Sequence, residues 1–203
     1  MTKLFRHPRD PWIARATRGL LALAVVTSGL LGPLTSVRAA HAEPREDREA
    51  LVKAAFLFHF VEFVDWPDTV RIQPGSTIRV GILGEDPFGE TIDQVFAEPS
   101  SDGHRFEIVR ASDPSELADC RVVYVALDDD ATVRDVIDAF ESGSVLTIAH
   151  RDGFATEGGH VNFFVEDDRL RFEVNLEAVQ DAGLRLSSRL LKLARIVDPA
   201  PGR

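Results

Sequence analysis

Apolar and polar positions along the chain change period several times. From Ala50 to Val64 the apolar residues recur at helical spacing, and Trp66-Pro67 ends the run, because a residue before proline avoids the α region. Four short runs rich in Val, Ile and Leu follow at 77–84 (TIRVGILG), 104–111 (HRFEIVRA), 121–127 (RVVYVAL) and 144–150 (SVLTIAH), each bounded by turn residues. They read as strands. Between them lie helical stretches at 87–98, 113–119 and 128–142, the last with three aspartates at its N-terminus, where the helix dipole favours them. This alternation predicts βαβ units on a mostly parallel sheet. HVNFFVED and RLRFEVN then alternate around Asp167-Asp168 over 160–175, the pattern of an antiparallel hairpin with a tight turn. LEAVQDAG and SSRLLKLARIV (187–197) read as closing helices, the second behind a serine cap. The fold class expected is α/β: one domain, with a mostly parallel sheet, a C-terminal antiparallel hairpin and flanking helices.

The first helix, expected over 50–65, is the most unusual element. FLFHFVEFVDWP puts four phenylalanines into eight residues. At about 100° per residue, Val52, Phe56, Phe60, Phe63 and Val64 share one stripe and are assigned to the core, while Leu51 and Phe58 point to nearly the opposite side. Such a helix is about 24 Å long and carries three charges, too short and too polar to span a bilayer. Its second apolar side needs the C-terminal helix, another subunit or a regulated partner.

Residues 1–42 carry a basic start, an apolar run from Gly19 to Leu34 and an Ala40-His41-Ala42 site, the layout of a Sec secretory leader with cleavage after Ala42. The expected domains are thus the leader, 1–42, and one α/β domain, 43–203. Cleavage removes six of 23 Lys/Arg and one of 33 Asp/Glu, leaving 17 basic against 32 acidic residues, a net charge near −15. That charge argues against nucleic acid and anionic lipid as partners and favours a basic surface or a cation. Cys120 is the only cysteine, so no internal disulfide forms, and its place at the mouth of an apolar strand predicts burial.

Candidate chemistry is sparse. Gly84 to Gly89 lies where phosphate loops lie, but Glu90-Thr91 follows in place of Lys-Ser/Thr, and Glu85 and Asp86 would repel phosphate. No G-x-S-x-G, H-E-x-x-H or C-x-x-C occurs, and His59, His104, His150 and His160 are scattered singly; His150 and His160 would need the intervening loop to fold back. Neither a catalytic residue nor a metal or other cofactor is expected. Gly153, Gly158 and Gly159 in RDGFATEGGHVNFF predict positive φ or a close backbone approach.

In order, KAAFLFHFVEFVDWP, VGILGEDPFG, a lone Cys before VVYVAL, VLTIAHRDGFATEGGHVNFF and LRFEVNLEAVQDAGLRLSSRLLKLAR resemble the YfiR/HmsC family of periplasmic proteins, from about Ala50 to Val197. The resemblance implies a compact, often dimeric α/β domain without enzymatic activity. It also implies a periplasmic repressor that binds the sensor part of an inner-membrane diguanylate cyclase and restrains cyclic-di-GMP and biofilm formation. Members that occur with sensor kinases supply the alternative, a small-ligand sensor subunit feeding a histidine kinase. Well-studied members carry several cysteines that form disulfides; with Cys120 alone, that redox control is absent here. Leu51, Phe58, Trp66, Arg171, Asn175 and Arg189 are the partner-binding candidates. Asp86, Phe88, Gly158, Gly159 and Asn162 are the ligand-pocket candidates.

Overall fold

Sheet register explains most of the burial. The computed structural model describes residues 45–200, apart from 71 and 142; the expected leader, 1–42, lies outside the described residues. In chain order the elements are α1 (Arg45–Phe63), β1 (Val64–Asp65), β2 (Thr77–Gly84), α2 (Glu90–Val95), β3 (Arg105–Ala111), β4 (Val122–Ala126), α3 (Asp130–Glu141), β5 (Leu146–Ala149), β6 (Val161–Glu166), β7 (Arg169–Asn175), α4 (Leu176–Asp181), β8 (Arg185–Leu186), α5 (Ser188–Leu191) and β9 (Arg195–Val197). Short 3-10 turns lie at Asp68–Val70 and Pro114–Leu117.

Seven strands form one sheet in the order β3-β2-β4-β5-β6-β7-β9, and β1 pairs with β8 in a separate two-stranded ribbon. The strands from β3 to β6 run parallel, β7 returns antiparallel to β6, and β9 lies parallel to β7. This is the mixed α/β sheet the pattern predicts. The β6–β7 hairpin turns on Asp167 and Asp168, both at positive φ (50° and 56°), as a two-residue loop matched to strand twist requires.

Because side chains alternate across a strand, the central strands feed two cores. Val80, Ile82, Val122, Tyr124, Leu146, Ile148, Phe163 and Phe172 face α1, α2 and the C-terminal helices. Leu83, Val123, Val125 and Ala149 face α3, which supplies Val133, Val136, Ile137 and Phe140. Cys120 lies fully buried in this second core, as its position predicts.

The first helix differs from expectation in extent and in face. It begins at Arg45, with Glu46 and Asp47 in its first turn, and ends at Phe63; Val64 and Asp65 are already extended and pair with Leu186 and Arg185. The buried positions are Ala50, Lys53, Ala54, Leu57, Phe60 and Val61. This stripe is rotated by roughly 90° from the one the largest side chains suggest. Of the residues assigned to the core, Phe60 and Val64 are buried, Phe56 and Phe63 half-buried, and Val52 exposed. α1 packs through Ala50, Ala54, Leu57, Phe60 and Val61, and Phe56 and Phe60 meet Phe163 and Phe172.

The C-terminal segment also departs from expectation. Ser187 caps a helix, its hydroxyl accepting from the Leu190 N–H (3.4 Å), but α5 stops at Leu191 and Arg195–Val197 becomes a strand beside β7. Pairing with the open edge of β7 outweighs the local helical period.

Gly159 shows how tightly the segment before β6 is packed. A Cβ there would lie 2.2 Å from the ring of Phe154, which is itself fully buried. Gly153 and Gly158 meet the other demand read from the sequence, with φ of 84° and 106°. Gly159→Ala should lower stability by about 1–3 kcal/mol or more, read as a lower urea midpoint with unchanged slope. Adding Phe154→Leu should recover part of the loss; an unchanged midpoint in the single variant would refute this packing.

Candidate functional site

The family-bearing Trp66-Pro67 pair lies in a groove, a cavity of about 290 Å³ between the end of α1, the following turn and the 100–104 loop that leads into β3. Val61, Val64 and Ile78 are its buried apolar residues, and Trp66, Pro67 and Ile72 are half-buried in it. Four carboxylates line it: Glu62, Asp65, Asp68 and Asp102. Glu62 Oε1 accepts from the backbone N–H and the hydroxyl of Ser101, both at 3.2 Å, which ties α1 to the loop. Asp65, Asp68 and Asp102 are exposed, and no salt bridge joins them to any described residue. Among the described residues no lysine or arginine lines the groove. Two wall atoms, the indole Nε1 of Trp66 and Nδ1 of His104, are buried without a hydrogen-bond partner among the described residues.

The other partner-binding candidates scatter. Leu51 is exposed at 49%, on the outer side of α1. Phe58 is not on a free face: its ring lies 5.4 Å from Phe96 and 5.3 Å from Phe106, both edge-on. Asn175 is buried, where its Oδ1 accepts from the Ala178 N–H (3.0 Å) to cap α4 and its Nδ2 donates to the Ala155 carbonyl (2.8 Å). A partner cannot reach it without unfolding that cap. Arg171 is exposed and pairs with Glu166 at 2.8 Å. Arg189 lies 6.0 Å from the Phe63 ring.

The ligand-pocket candidates do not converge either. Asp86 accepts from the Phe88 N–H (2.7 Å) and pairs with Arg110 (2.7 Å), whose guanidinium also reaches Asp93 (2.6 Å). Those hydrogen bonds, to Asp93 first and Asp86 second, push the Arg110 pKa up. Phe88 is buried against Tyr124 at 4.8 Å. Asn162 is buried, its Nδ2 donating to Glu173 (3.1 Å) and its Oδ1 accepting from the Arg151 N–H (3.1 Å). Gly159 is occupied by Phe154, as above. Of this set Gly158 lines a cavity of about 680 Å³ between α3 and α4.

In that second cavity Thr147, His160 and Asn175 are buried polar groups, and Asp138, Glu141, Glu177 and Asp181 are also among its lining. His160 Nδ1 accepts from the Thr147 N–H at 3.0 Å and lies 3.0 Å from its hydroxyl, so the ring is held neutral. Burial lowers its pKa to about 4. His150 is elsewhere, 3.2 Å from Glu49, which also pairs with the buried Lys53 at 2.7 Å. The hydrogen bond from Lys53 leads in holding Glu49 below the usual carboxylate range, whereas burial pulls His150 down. The two histidines are therefore not brought together, and among the described residues no three His, Cys, Asp or Glu side chains converge to hold a metal. Burial raises the Cys120 thiol to about 11, so it is protonated at neutral pH.

The carboxylates of the Trp66 groove were missed as a group by sequence reasoning. Glu62, Asp65 and Asp68 flank Trp66 in the chain, but Asp102 and His104 arrive from a separate loop, and only the tertiary fold joins them.

Among solved structures, the chain is similar to an ABC domain in complex with L-Trp from Streptococcus pneumonia, at 14% identity and TM-score 0.43, over 60% of this chain and 56% of that one. It is also similar to a conserved domain protein from Vibrio cholerae, at 13% identity and TM-score 0.44, over 75% of this chain and 60% of that one. It thus spans somewhat more than half the length of each. The YfiR/HmsC-like family model matches residues 50–195, which takes in most of α1, almost the whole sheet and the Trp66 groove, and the chain belongs to that family.

Proposed function

We propose that this protein is an exported, periplasmic, non-enzymatic regulator that binds and represses a membrane-bound diguanylate cyclase, and so limits cyclic-di-GMP and biofilm formation. The observation that carries the reading is the match of residues 50–195 to the YfiR/HmsC-like family. The mechanism is differential binding: the regulator holds one state of the cyclase's periplasmic part, and a signal that weakens the complex shifts the population toward the active state. Self-association as a homodimer belongs to the same proposal. Among the described residues no helix is long and apolar enough to cross a membrane.

Deleting the gene should raise cellular cyclic-di-GMP several-fold, and a plasmid copy should restore it. No rise in a strain with a demonstrable membrane cyclase would overturn the repressor role.

One observation favours a second reading, a small-ligand sensor subunit of a histidine kinase. The cavity between α3 and α4, at about 680 Å³, is of a size that encloses a metabolite, and Gly158 lines it. A metabolite that raises the melting temperature by mass action would support that reading, and a broad screen without any shift would count against it.

A further inference from the structure

We infer that the Trp66 groove is the docking site for a basic segment of the partner protein, an extended stretch that inserts an arginine or lysine side chain. The inference rests on the regulator reading and specifies its contact. Three features of the groove select this occupant.

The first is charge. Asp65, Asp68 and Asp102 line the groove without a salt bridge to any described residue, and Glu62 lines it too, on a chain whose net charge is already −10 with its basic leader included. A second copy can associate through another face, but at this groove its net negative charge is unfavourable, whereas a cationic side chain would be drawn in. The second is the apolar element. Trp66, Pro67 and Ile72 offer half-buried apolar surface beside the carboxylates. An arginine or lysine fits both at once, laying its aliphatic stem and charged head against the indole while the head also meets the acids. The third is size and hydrogen bonding. At about 290 Å³ the groove has room for side chains of a peptide. The indole N–H of Trp66 is buried in the wall without an acceptor among the described residues, so the ring gains one by turning outward onto a peptide carbonyl, which a metal ion does not offer.

Trp66 itself makes the test direct. The chain has two tryptophans, Trp12 and Trp66, so a Trp12→Phe background leaves Trp66 as the only indole whether or not the leader is removed. The chain purified from the periplasm would be titrated with the peptide acetyl-Leu-Arg-Leu-Arg-Leu-amide and, separately, with acetyl-Leu-Glu-Leu-Glu-Leu-amide. The arginine peptide should shift Trp66 emission saturably and weaken as salt rises, and the glutamate peptide should bind at least about tenfold more weakly. Asp65→Asn, Asp68→Asn and Asp102→Asn together should reduce the arginine peptide's affinity by about tenfold or more. Neutralising Glu116, Asp128 and Asp135, exposed and distant from the groove in sequence, should leave it unchanged. No shift, an equal response to both peptides, or equal weakening by the two triple variants would overturn the assignment.

In the cell, the groove variant should raise cyclic-di-GMP as far as the deletion does while accumulating normally. If it still represses, the groove assignment falls and the regulator reading stands. The latter falls only if the deletion itself has no effect.

Discussion

Replacing Phe58 by aspartate should destabilise the domain itself rather than merely weaken an association. The helical pattern places Phe58 on a side of α1 that needs the C-terminal helix, another subunit or a regulated partner, and the structure closes that side at Phe58 with α2 and β3. Its ring meets Phe96 at 5.4 Å and Phe106 at 5.3 Å, and these meet each other at 5.1 Å, so three edge-on rings join α1, the end of α2 and β3. Truncating a phenylalanine in such a cluster costs about 3–5 kcal/mol, and a carboxylate left among the remaining rings adds a desolvation cost. Phe58 is only half-buried, so a total near 3 kcal/mol is expected, a large share of the ~5–15 kcal/mol that holds a domain together. Thermal unfolding should show it as a fall of roughly 10 °C. Leu51→Asp is the companion variant. Leu51 is exposed, so its loss should stay within about 0.5 kcal/mol while any contact that uses the outer side of α1 weakens. A folded Phe58→Asp variant with the wild-type melting temperature would return Phe58 to the list of interface residues.

Mild acid should destabilise the protein chiefly through His160. The ring is buried, its Nδ1 accepts from the Thr147 N–H, and protonation would break that acceptance and bury a charge. Its pKa in the folded state is about 4, against 6.5 for an ordinary histidine. A depressed folded value means the unfolded chain binds the proton first. Stability is therefore full above about pH 6.5 and falls as pH drops toward about 4, by roughly 3 kcal/mol at the bottom of that window. His150, lowered by burial, and Glu49, held down by Lys53, act in the same direction. Urea midpoints at neutral pH and near pH 4.5 should differ strongly in the wild type and by much less in His160→Gln. An equal pH difference in both proteins would show that His160 is not the group responsible. The sensitivity has a functional bearing, because the ring joins β5 to the start of β6 beside the cap of α4, in the wall of the larger cavity.

Much of this molecule is readable from short-range pattern. TIRVGILG forms a strand over its full length, RVVYVAL and SVLTIAH do so over all but their ends, and Asp167-Asp168 makes the hairpin turn. These segments report on themselves: β-branched residues, turn chemistry and alternation are local properties. The ligand-pocket candidates were less legible. Asp86 and Phe88 look available in the chain because a strand-to-helix turn often faces ligand, but Arg110 and Tyr124, 24 and 36 residues away, occupy them. Asn175 looks like a polar residue free to bind a partner, and it is a helix cap inside the core. Whether a polar side chain is free depends on residues distant in sequence, which no periodicity encodes.

The chain by itself determined the element types, the mostly parallel sheet with its returning hairpin, the burial of Cys120 and the family resemblance, because each rests on neighbouring residues or on ordered motifs. The tertiary structure alone decided three matters. It turned α1 so that Ala54, Leu57, Phe60 and Val61 meet the core and Phe58 meets Phe96 and Phe106. It drew Arg195–Val197 out of an apparent helix to pair with β7, since an open sheet edge outcompetes one more helical turn. And it brought Asp102 and His104 beside Trp66, converting an acidic stretch into a groove. Each outcome depends on which surfaces come together when α1, the sheet and the loops pack, and that is settled by long-range burial rather than by local propensity.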